Sequence, residues 1–179
     1  MAPMSSQPRP RIVHDRNRAM KRILIVCTGN ICRSPMAEGL LRDRLRRHQL
    51  SDNVIVASRG TFALDGRAAS HWAVAVLADH SIDITDHVAV TITPDEMRKS
   101  DLILVMTEEH RRSIFYLAPE ILHKVLLMSE LAGEHFDVAD PYTQPREMYE
   151  RTYETLQWCI DNGWETLMGR LGAAQSPAR

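Results

Sequence analysis

The chain is short of cysteine, of net charge and of long apolar runs. Its three cysteines are an odd number without the spacing of a disulfide framework, which is typical of a protein from a reducing compartment. Its 22 basic and 23 acidic side chains leave a net charge of -1, so no overall field attracts nucleic acid or an anionic membrane. No segment approaches the length that crosses a membrane. We therefore expect a cytoplasmic protein in which a local site recognises any charged ligand.

The length of 179 residues fits one domain, which buries enough surface to be stable without disulfides or metal. Residues 1–20 are rich in proline, serine and arginine and have no apolar central run, so they predict a flexible tail and no secretory signal. We expect a single folded domain over residues 21–172 and a second flexible end at residues 173–179. A monomer or a weak dimer is expected.

Apolar patterning predicts strands that alternate with helices. Short runs rich in β-branched residues predict four strands, at residues 22–27, 54–57, 102–106 and 124–127. Helical spacing and capping signals predict helices after Ser34, at residues 70–79, after Thr93, at residues 108–117 and at residues 145–171. The alternation predicts an α/β fold, a three-layer α/β/α domain around a four-stranded, mainly parallel sheet of the flavodoxin or Rossmann-like kind.

The segment between the first predicted strand and the first helix carries the most specific pattern. It consists of Cys27-Thr28-Gly29-Asn30-Ile31-Cys32-Arg33-Ser34-Pro35. A loop in this place can direct successive backbone N–H groups toward a bound anion, at the positive end of the helix dipole. Gly29 is expected to supply the unusual backbone angles of this cradle, and the Arg33 guanidinium can bind two phosphate oxygens. The sequence thus predicts a phosphate-binding loop after strand 1.

Cys27 is the candidate nucleophile of this loop. A sulfur at a helix N-terminus, near a guanidinium and the Ser34 hydroxyl, is expected to be largely thiolate near neutral pH. The thiolate can attack a phosphoryl group while Arg33 and the backbone N–H groups hold the equatorial oxygens. The leaving group then needs a proton, and Asp140 in the Asp140-Pro141-Tyr142 loop is the candidate general acid and, later, general base.

With these residues in place, the chain resembles the low-molecular-weight protein tyrosine phosphatases. The nine-residue loop after the first strand and the late Asp-Pro-Tyr carry the resemblance, which spans about residues 21–171. It implies hydrolysis of protein phosphotyrosine through a phosphocysteine intermediate, with a phosphorylated protein as substrate, inorganic phosphate as product, and no cofactor or metal. It also implies that these residues bind the substrate: Thr28, Gly29, Asn30, Ile31, Cys32, Ser34 and Tyr142.

The resemblance also implies residues that support the loop. In this family the loop asparagine is held by serines and a histidine, which correspond here to Ser34, Ser58 and His87. Cys32 corresponds to a cysteine that can form a reversible disulfide with the nucleophile, and a merely structural role for it is equally open. Cys159, on the last long helix, is expected in the core.

Two positions leave the preferred substrate open. Thr28, directly after the nucleophile, resembles the related bacterial protein arginine phosphatases, whereas tyrosine phosphatases commonly have an aliphatic residue there. Tyr142 resembles the aromatic wall that stacks on phosphotyrosine. We expect phosphotyrosine as the substrate, with phosphoarginine as the alternative. Arg59 is a further departure, because it places a charge near the loop where many members have alanine.

Two other functions fit part of the pattern. Arsenate reductases of similar fold use nearly the same loop but need further cysteines downstream, and residues 104–109 after the third strand contain none. A non-catalytic phosphate-binding module is expected to have lost the nucleophile or the acid, and both Cys27 and Asp140 are present. A phosphatase is therefore the prediction.

Overall fold

The structure, a computed structural model, describes residues 19–172. Its strands are β1 (Lys21–Cys27), β2 (Val54–Gly60), β3 (Leu102–Val105) and β4 (Val125–Leu127). Its helices are α1 (Arg33–Arg47), α2 (His71–Asp79), α3 (Pro94–Lys99), α4 (Glu108–Leu117), α5 (Arg146–Asn162) and α6 (Trp164–Arg170). The predicted C-terminal end and all of the predicted tail up to residue 18 lie outside the described residues.

The four strands form one parallel sheet in the order β2-β1-β3-β4. Ile23 and Ile25 of β1 join a buried cluster with α1, α2, α5 and α6 on one face. Leu24 and Val26 join a second cluster with α3 and α4 on the other face. Because both faces of β1 are covered, its residues form a continuous apolar run with no alternation. The predicted three-layer α/β fold is confirmed.

The predicted helix starts have different outcomes. The capping box before α3 is confirmed, since Thr93 Oγ1 accepts from the backbone of Glu96 and the Glu96 carboxylate accepts from the backbone of Thr93. The prediction that Ser34 caps α1 is wrong. That helix begins at Arg33 after Cys32, and no side chain caps it. The Ser34 hydroxyl lies against the Cys27 sulfur instead.

The single long helix predicted over residues 145–171 is also wrong, because the chain forms α5 and α6 with a break at Gly163. A Cβ atom at Gly163 would lie 2.4 Å from Leu131 Cβ, so only glycine allows this close approach. The apolar spacing continues across the break, which is why periodicity alone missed it. Two short 3-10 helices, Pro119–Lys124 and Met128–Ala132, were not predicted either.

The topology places the ends of β1 and β2 side by side, with Cys27 paired in register with Gly60. The loops that leave these strands therefore meet at the carboxyl edge of the sheet, where doubly wound α/β proteins bind ligands. None of the described helices is long and apolar enough to cross a membrane.

Candidate active site

The loop from Cys27 to Arg33 has its carbonyl groups fixed from outside. The six consecutive carbonyl oxygens of residues 27–32 all accept hydrogen bonds from the protein. Those of residues 27–29 accept from the backbone N–H groups of Thr61, Phe62 and Leu64, in that order. Those of residues 30–32 accept from His87 Nε2 and from the backbone N–H groups of Ser70 and Met36. Within residues 19–172, the N–H groups of residues 29–32 have no protein acceptor. Because the N–H and C=O groups of a trans peptide point in opposite directions, these N–H groups face the inside of the loop and can bind an anion.

Asn30 braces the loop through its side chain. It is fully buried, donates from Nδ2 to Ser34 Oγ at 2.9 Å and to Ser58 Oγ at 3.0 Å, and accepts from the backbone of Val90 at 2.9 Å. His87 Nε2 donates to its carbonyl oxygen at 2.7 Å. The structure therefore brings together all four residues named for this network. Asn30 and Ser34 do not line the pocket described below, so any contact they make with substrate is through the backbone.

The expectation for Gly29 is wrong in its detail. Gly29 does not have a positive φ, and the left-handed residue of the loop is Asn30, with φ of 54°. Asparagine tolerates this conformation better than other side chains, and four hydrogen bonds hold it there. The unusual backbone angle expected at Gly29 thus lies one position later, at Asn30, which these hydrogen bonds brace.

The Cys27 sulfur lies on the floor of the site. It is 2% exposed and lies 2.9 Å from Ser34 Oγ. That oxygen already accepts from Asn30, so its own proton is available to the sulfur. The hydrogen bond fixes the position of the sulfur beneath the loop.

Arg33 is buried, 4% exposed, with its guanidinium fixed by three contacts. Nη1 donates to the carbonyl of Val138 at 3.1 Å, and Nη2 lies 2.5 Å from Asp140 Oδ2 and 3.4 Å from Thr28 Oγ1. The buried Nε–H group has no acceptor among the described residues. A buried N–H donor without a partner is costly, and an anion in the loop would satisfy it.

Asp140 and Tyr142 face the loop from the segment before α5. Asp140 Oδ1 accepts from the backbone of Tyr142 at 3.1 Å, which fixes the carboxylate while its other oxygen pairs with Arg33. The Asp140 side chain is 45% exposed, so water and a leaving group can reach it. The structure brings Asp140 and Tyr142, which the sequence analysis named, into one pocket with the loop.

A pocket of about 230 Å³ opens above the loop. Its floor is formed by Cys27, Thr28, Gly29, Ile31, Cys32 and Arg33, and its rim by Phe62, Leu64, Asp140 and Tyr142. Sequence reasoning missed Phe62 and Leu64. The sequence signal that could have indicated them was Gly60. A Cβ atom at this position would lie 2.4 Å from the carbonyl oxygen of Thr28, so only glycine lets residues 61–64 run along the loop.

His110 is a second residue that sequence reasoning missed. It lies in the first turn of α4 and is 4% exposed. Its Nε2 lies 2.9 Å from Thr28 Oγ1 and its Nδ1 lies 2.8 Å from Thr107 Oγ1. Burial, followed by the nearby positive charge of Arg33, lowers the pKa of His110 to about 4, so the imidazole is neutral near neutral pH.

The other two cysteines are buried. Cys32 Sγ lies within hydrogen-bond distance of Ser70 Oγ and Tyr149 Oη, and burial raises the pKa of its thiol. Cys159 lies in α5, where burial raises its pKa to about 11. Both therefore remain protonated near neutral pH.

Two charged clusters lie outside the pocket. Arg59 pairs with Glu96 and donates to the carbonyl of its neighbour, Ser58. Glu108, Glu130 and His135 have ligand atoms close enough together to bind a metal, but Arg111 pairs with both carboxylates. We interpret this group as an ion-pair network, because the Arg111 guanidinium already neutralises the charge of the carboxylates.

Comparisons with known proteins agree with this geometry. The family model described as low molecular weight phosphotyrosine protein phosphatase matches residues 22–173. A probable low molecular weight protein-tyrosine-phosphatase, EpsP of Ralstonia nicotianae, is 40% identical over 86% of this chain and 99% of its own length.

Solved structures of two similar proteins bear on the substrate. The low molecular weight protein tyrosine phosphatase of T. tengcongensis is 39% identical over 82% of this chain and 99% of its own, with a TM-score of 0.77. The YwlE arginine phosphatase of Geobacillus stearothermophilus is 33% identical over 87% of this chain and 99% of its own, with a TM-score of 0.75.

Proposed function

The chain belongs to the low molecular weight protein tyrosine phosphatase family, and we propose that it hydrolyses protein phosphotyrosine through a phosphocysteine at Cys27. The observation that carries this mechanism is the loop itself, whose six consecutive carbonyl groups are held outward by protein donors. The remaining N–H groups and the Arg33 Nε–H group supply donors for one oxyanion, in a pocket that the buried Cys27 also lines.

The first step transfers the phosphoryl group to sulfur. The Cys27 thiolate attacks phosphorus, and the bond from phosphorus to the tyrosine oxygen breaks. The loop N–H groups and Arg33 hold the equatorial oxygens as charge accumulates on them. Asp140 donates a proton to the leaving phenoxide, a role that its position opposite the loop supports.

The second step releases inorganic phosphate. Asp140, now ionised, accepts a proton from water, which attacks the thiophosphate and frees the Cys27 sulfur. The ion pair between Arg33 and Asp140 supports this order of steps. The carboxylate already lies beside the phosphate-binding guanidinium before the substrate arrives. An incoming dianion competes for Arg33 and releases Asp140 for proton transfer.

The rim of the pocket supports an aromatic substrate. Phe62, Leu64 and Tyr142 form apolar walls around an opening large enough for a ring, and a planar side chain gains dispersion and stacking contacts with them. Arg33 and Asp140 are the charged residues that line the pocket, and both take part in the chemistry. Phosphotyrosine matches both the anionic floor and the apolar rim.

Phosphoarginine is the second candidate, and one solved neighbour is an arginine phosphatase. A guanidinium leaving group needs a carboxylate partner, which Asp140 can supply at the rim. The Thr28 hydroxyl, expected to favour this substrate, has two protein partners, His110 and Arg33. It is therefore part of a network that serves any phosphoryl group, and it does not by itself favour phosphoarginine.

Arsenate reduction is a weaker hypothesis for this chain. A disulfide relay needs thiols that attack readily as thiolates. The pKa of Cys32 is raised by burial, and that of Cys159 is raised to about 11. Neither thiol is suited to attack an oxidised Cys27 near neutral pH.

We further propose that the protein acts in the cytoplasm, which its three free cysteines support because a reducing compartment keeps thiols reduced. One chain supplies the loop, the acid and the rim of the pocket, which supports activity as a monomer. The substrate is a phosphorylated protein and the product is inorganic phosphate.

A side-by-side kinetic comparison tests the proposed function. The parent protein is assayed with p-nitrophenyl phosphate, a phosphotyrosine peptide and a phosphoarginine peptide of matched sequence. We expect the highest kcat/KM of the two peptides for phosphotyrosine, and loss of all activity in Cys27→Ser. Cys159→Ala is the control, because it removes a buried cysteine that does not line the pocket.

The outcomes separate the candidates. Higher kcat/KM for the phosphoarginine peptide would assign the second function, and no hydrolysis by the parent would indicate a binding module. Acid quenching during turnover, followed by mass spectrometry, should find one phosphoryl group on Cys27. Full activity of Cys27→Ser would rule out the covalent mechanism.

A further inference from the structure

We propose that His110 is a positioning residue that turns the Thr28 hydroxyl into a hydrogen-bond donor aimed into the pocket. This inference rests on the proposed function, because it concerns the same site. His110 has no place in the mechanism described above, although it is buried and contacts a residue of the pocket floor. Its two ring nitrogens both lie within hydrogen-bond distance of a threonine hydroxyl, and in the proposed arrangement Nε2 carries the proton.

The start of α4 supplies a hydroxyl donor for His110 Nδ1 in this scheme. Thr107 is the N-cap of this helix, and its hydroxyl oxygen accepts from the backbone N–H of His110 at 3.3 Å. That hydroxyl has one proton, and its near partner is His110 Nδ1 at 2.8 Å. When Thr107 donates to Nδ1, the neutral ring carries its proton on Nε2.

The tautomer then determines what Thr28 can do. The Nε2–H group donates to Thr28 Oγ1 at 2.9 Å, and Arg33 Nη2 donates to the same oxygen at 3.4 Å. A hydroxyl oxygen has two lone pairs and one proton. Since two donors occupy the lone pairs, the proton of Thr28 must point elsewhere. Thr28 is exposed and lines the pocket, so in this scheme the proton points into the pocket, where an oxygen of a phosphoryl group can accept it.

The chain of contacts thus runs from a helix cap to the reacting group. Thr107 fixes His110, His110 fixes Thr28, and Thr28 adds a side-chain donor to the backbone donors of the loop. Donors that are already oriented are most effective when charge develops in the transition state. The contribution is therefore expected mainly in kcat, and it depends on both members of the His110 and Thr28 pair.

A double-mutant cycle tests this inference. Thr28→Val removes the hydroxyl with little change of shape, and His110→Phe keeps a ring of similar size without either nitrogen. Each is expected to lower kcat for the phosphotyrosine peptide by about tenfold, the usual consequence of losing one oriented donor, with KM changed less than twofold. The double variant should lose no more than either single variant, because both changes remove the same donor. His110→Gln is expected to regain part of the loss, since its amide can donate to Thr28.

Several outcomes would overturn it. The inference is wrong if the losses of the two single variants multiply in the double variant, or if His110→Phe has the kcat of the parent. Nitrogen NMR of the parent gives a test that needs no substitution, because the shifts of the His110 ring identify the protonated nitrogen. A proton on Nδ1 would refute the scheme even if His110→Phe fails to fold. Absence of hydrolysis by the parent would instead contradict the proposed function.

Discussion

The floor and the rim of the pocket differ in how they are held. On the floor, the loop of residues 27–33 has every carbonyl from Cys27 to Cys32 bonded to the surrounding protein, and the bracing side chains of Asn30 and Ser34 are fully buried. On the rim, Phe62 is 82% exposed and Tyr142 is 50% exposed. Many hydrogen bonds thus fix the conformation of the floor, whereas the rim side chains keep much of their conformational freedom.

This difference assigns chemistry and substrate choice to separate parts of one pocket. Stabilising a transition state requires donors that do not reorganise, which a buried network provides. Selectivity among protein substrates requires contact residues that can differ without disturbing the hydrogen-bond network of the floor. Exposed side chains on a loop meet this requirement. Substitutions on the floor should therefore lower kcat and stability, and substitutions of the apolar rim residues Phe62, Leu64 and Tyr142 should change KM alone.

The largest effect is expected at the centre of the floor, for Arg33→Lys. The guanidinium is planar and has several N–H donors, which contact the carbonyl of Val138 and the carboxylate of Asp140 and can bind an oxyanion at the same time. The ammonium group of lysine cannot reproduce this arrangement. We expect kcat for the phosphotyrosine peptide to fall by about a thousandfold, at the upper end for loss of an oriented donor to a developing anion. Arg46→Lys on the exposed side of the same helix is the control. A loss below tenfold would show that the loop amides act without the guanidinium.

The next effect concerns Asp140, the one rim residue assigned to chemistry. Asp140→Asn keeps the shape but cannot donate and accept a proton, so kcat for the peptide should fall by about a hundredfold. The loss should be smaller for p-nitrophenyl phosphate, whose leaving group needs little protonation. Asp95→Asn, in an exposed pair with Lys99, is the matched control. Equal losses on both substrates would argue against proton transfer by Asp140.

A smaller change in rate but a clear loss of stability is expected for Asn30→Ala. Alanine is strained at the φ of 54° and leaves Ser58 and the backbone of Val90 without their partner. The free energy of unfolding should fall by about 3 kcal/mol, and kcat by about tenfold as the loop relaxes. Denaturant unfolding measures the first quantity, with Asn162→Ala at the exposed end of α5 as control. Unchanged stability would mean that the floor is not held as described.

The floor could be predicted from the sequence because its residues are adjacent in the chain. Cys27, Gly29, Arg33 and the start of α1 form one local pattern, and a loop that leads from a strand into a helix N-terminus is a recurring anion site. The parallel sheet followed from the same local patterns. Even there, the unusual backbone angle was predicted one position away, at Gly29, because side-chain hydrogen bonds can hold asparagine in a conformation that glycine adopts freely.

The rest required the fold. Phe62 lies at the rim because Gly60 lets the backbone of residues 61–64 bond to the loop carbonyls, and a glycine in the sequence does not show which segment approaches it. His110 is 82 positions from Thr28 in the chain, and the two meet only because β3 lies next to β1. A histidine in the first turn of an amphipathic helix gives no sign of such a partner. Residues that meet through the sheet therefore escaped the sequence patterns, except where the resemblance to a family supplied them.

The smallest effect, expected for Phe62→Ala, bears most directly on the contrast between floor and rim. Loss of one aromatic wall should raise KM for the phosphotyrosine peptide about fivefold, the value of one aromatic contact, and leave kcat and the unfolding midpoint unchanged. Tyr116→Ala is the matched control, because Tyr116 is also 82% exposed but does not line the pocket. A fall in kcat or in stability would mean that the rim supports the floor, and the separation of chemistry from substrate choice would then be wrong. An unchanged KM would leave Tyr142 and Leu64 as the walls that contact the ring.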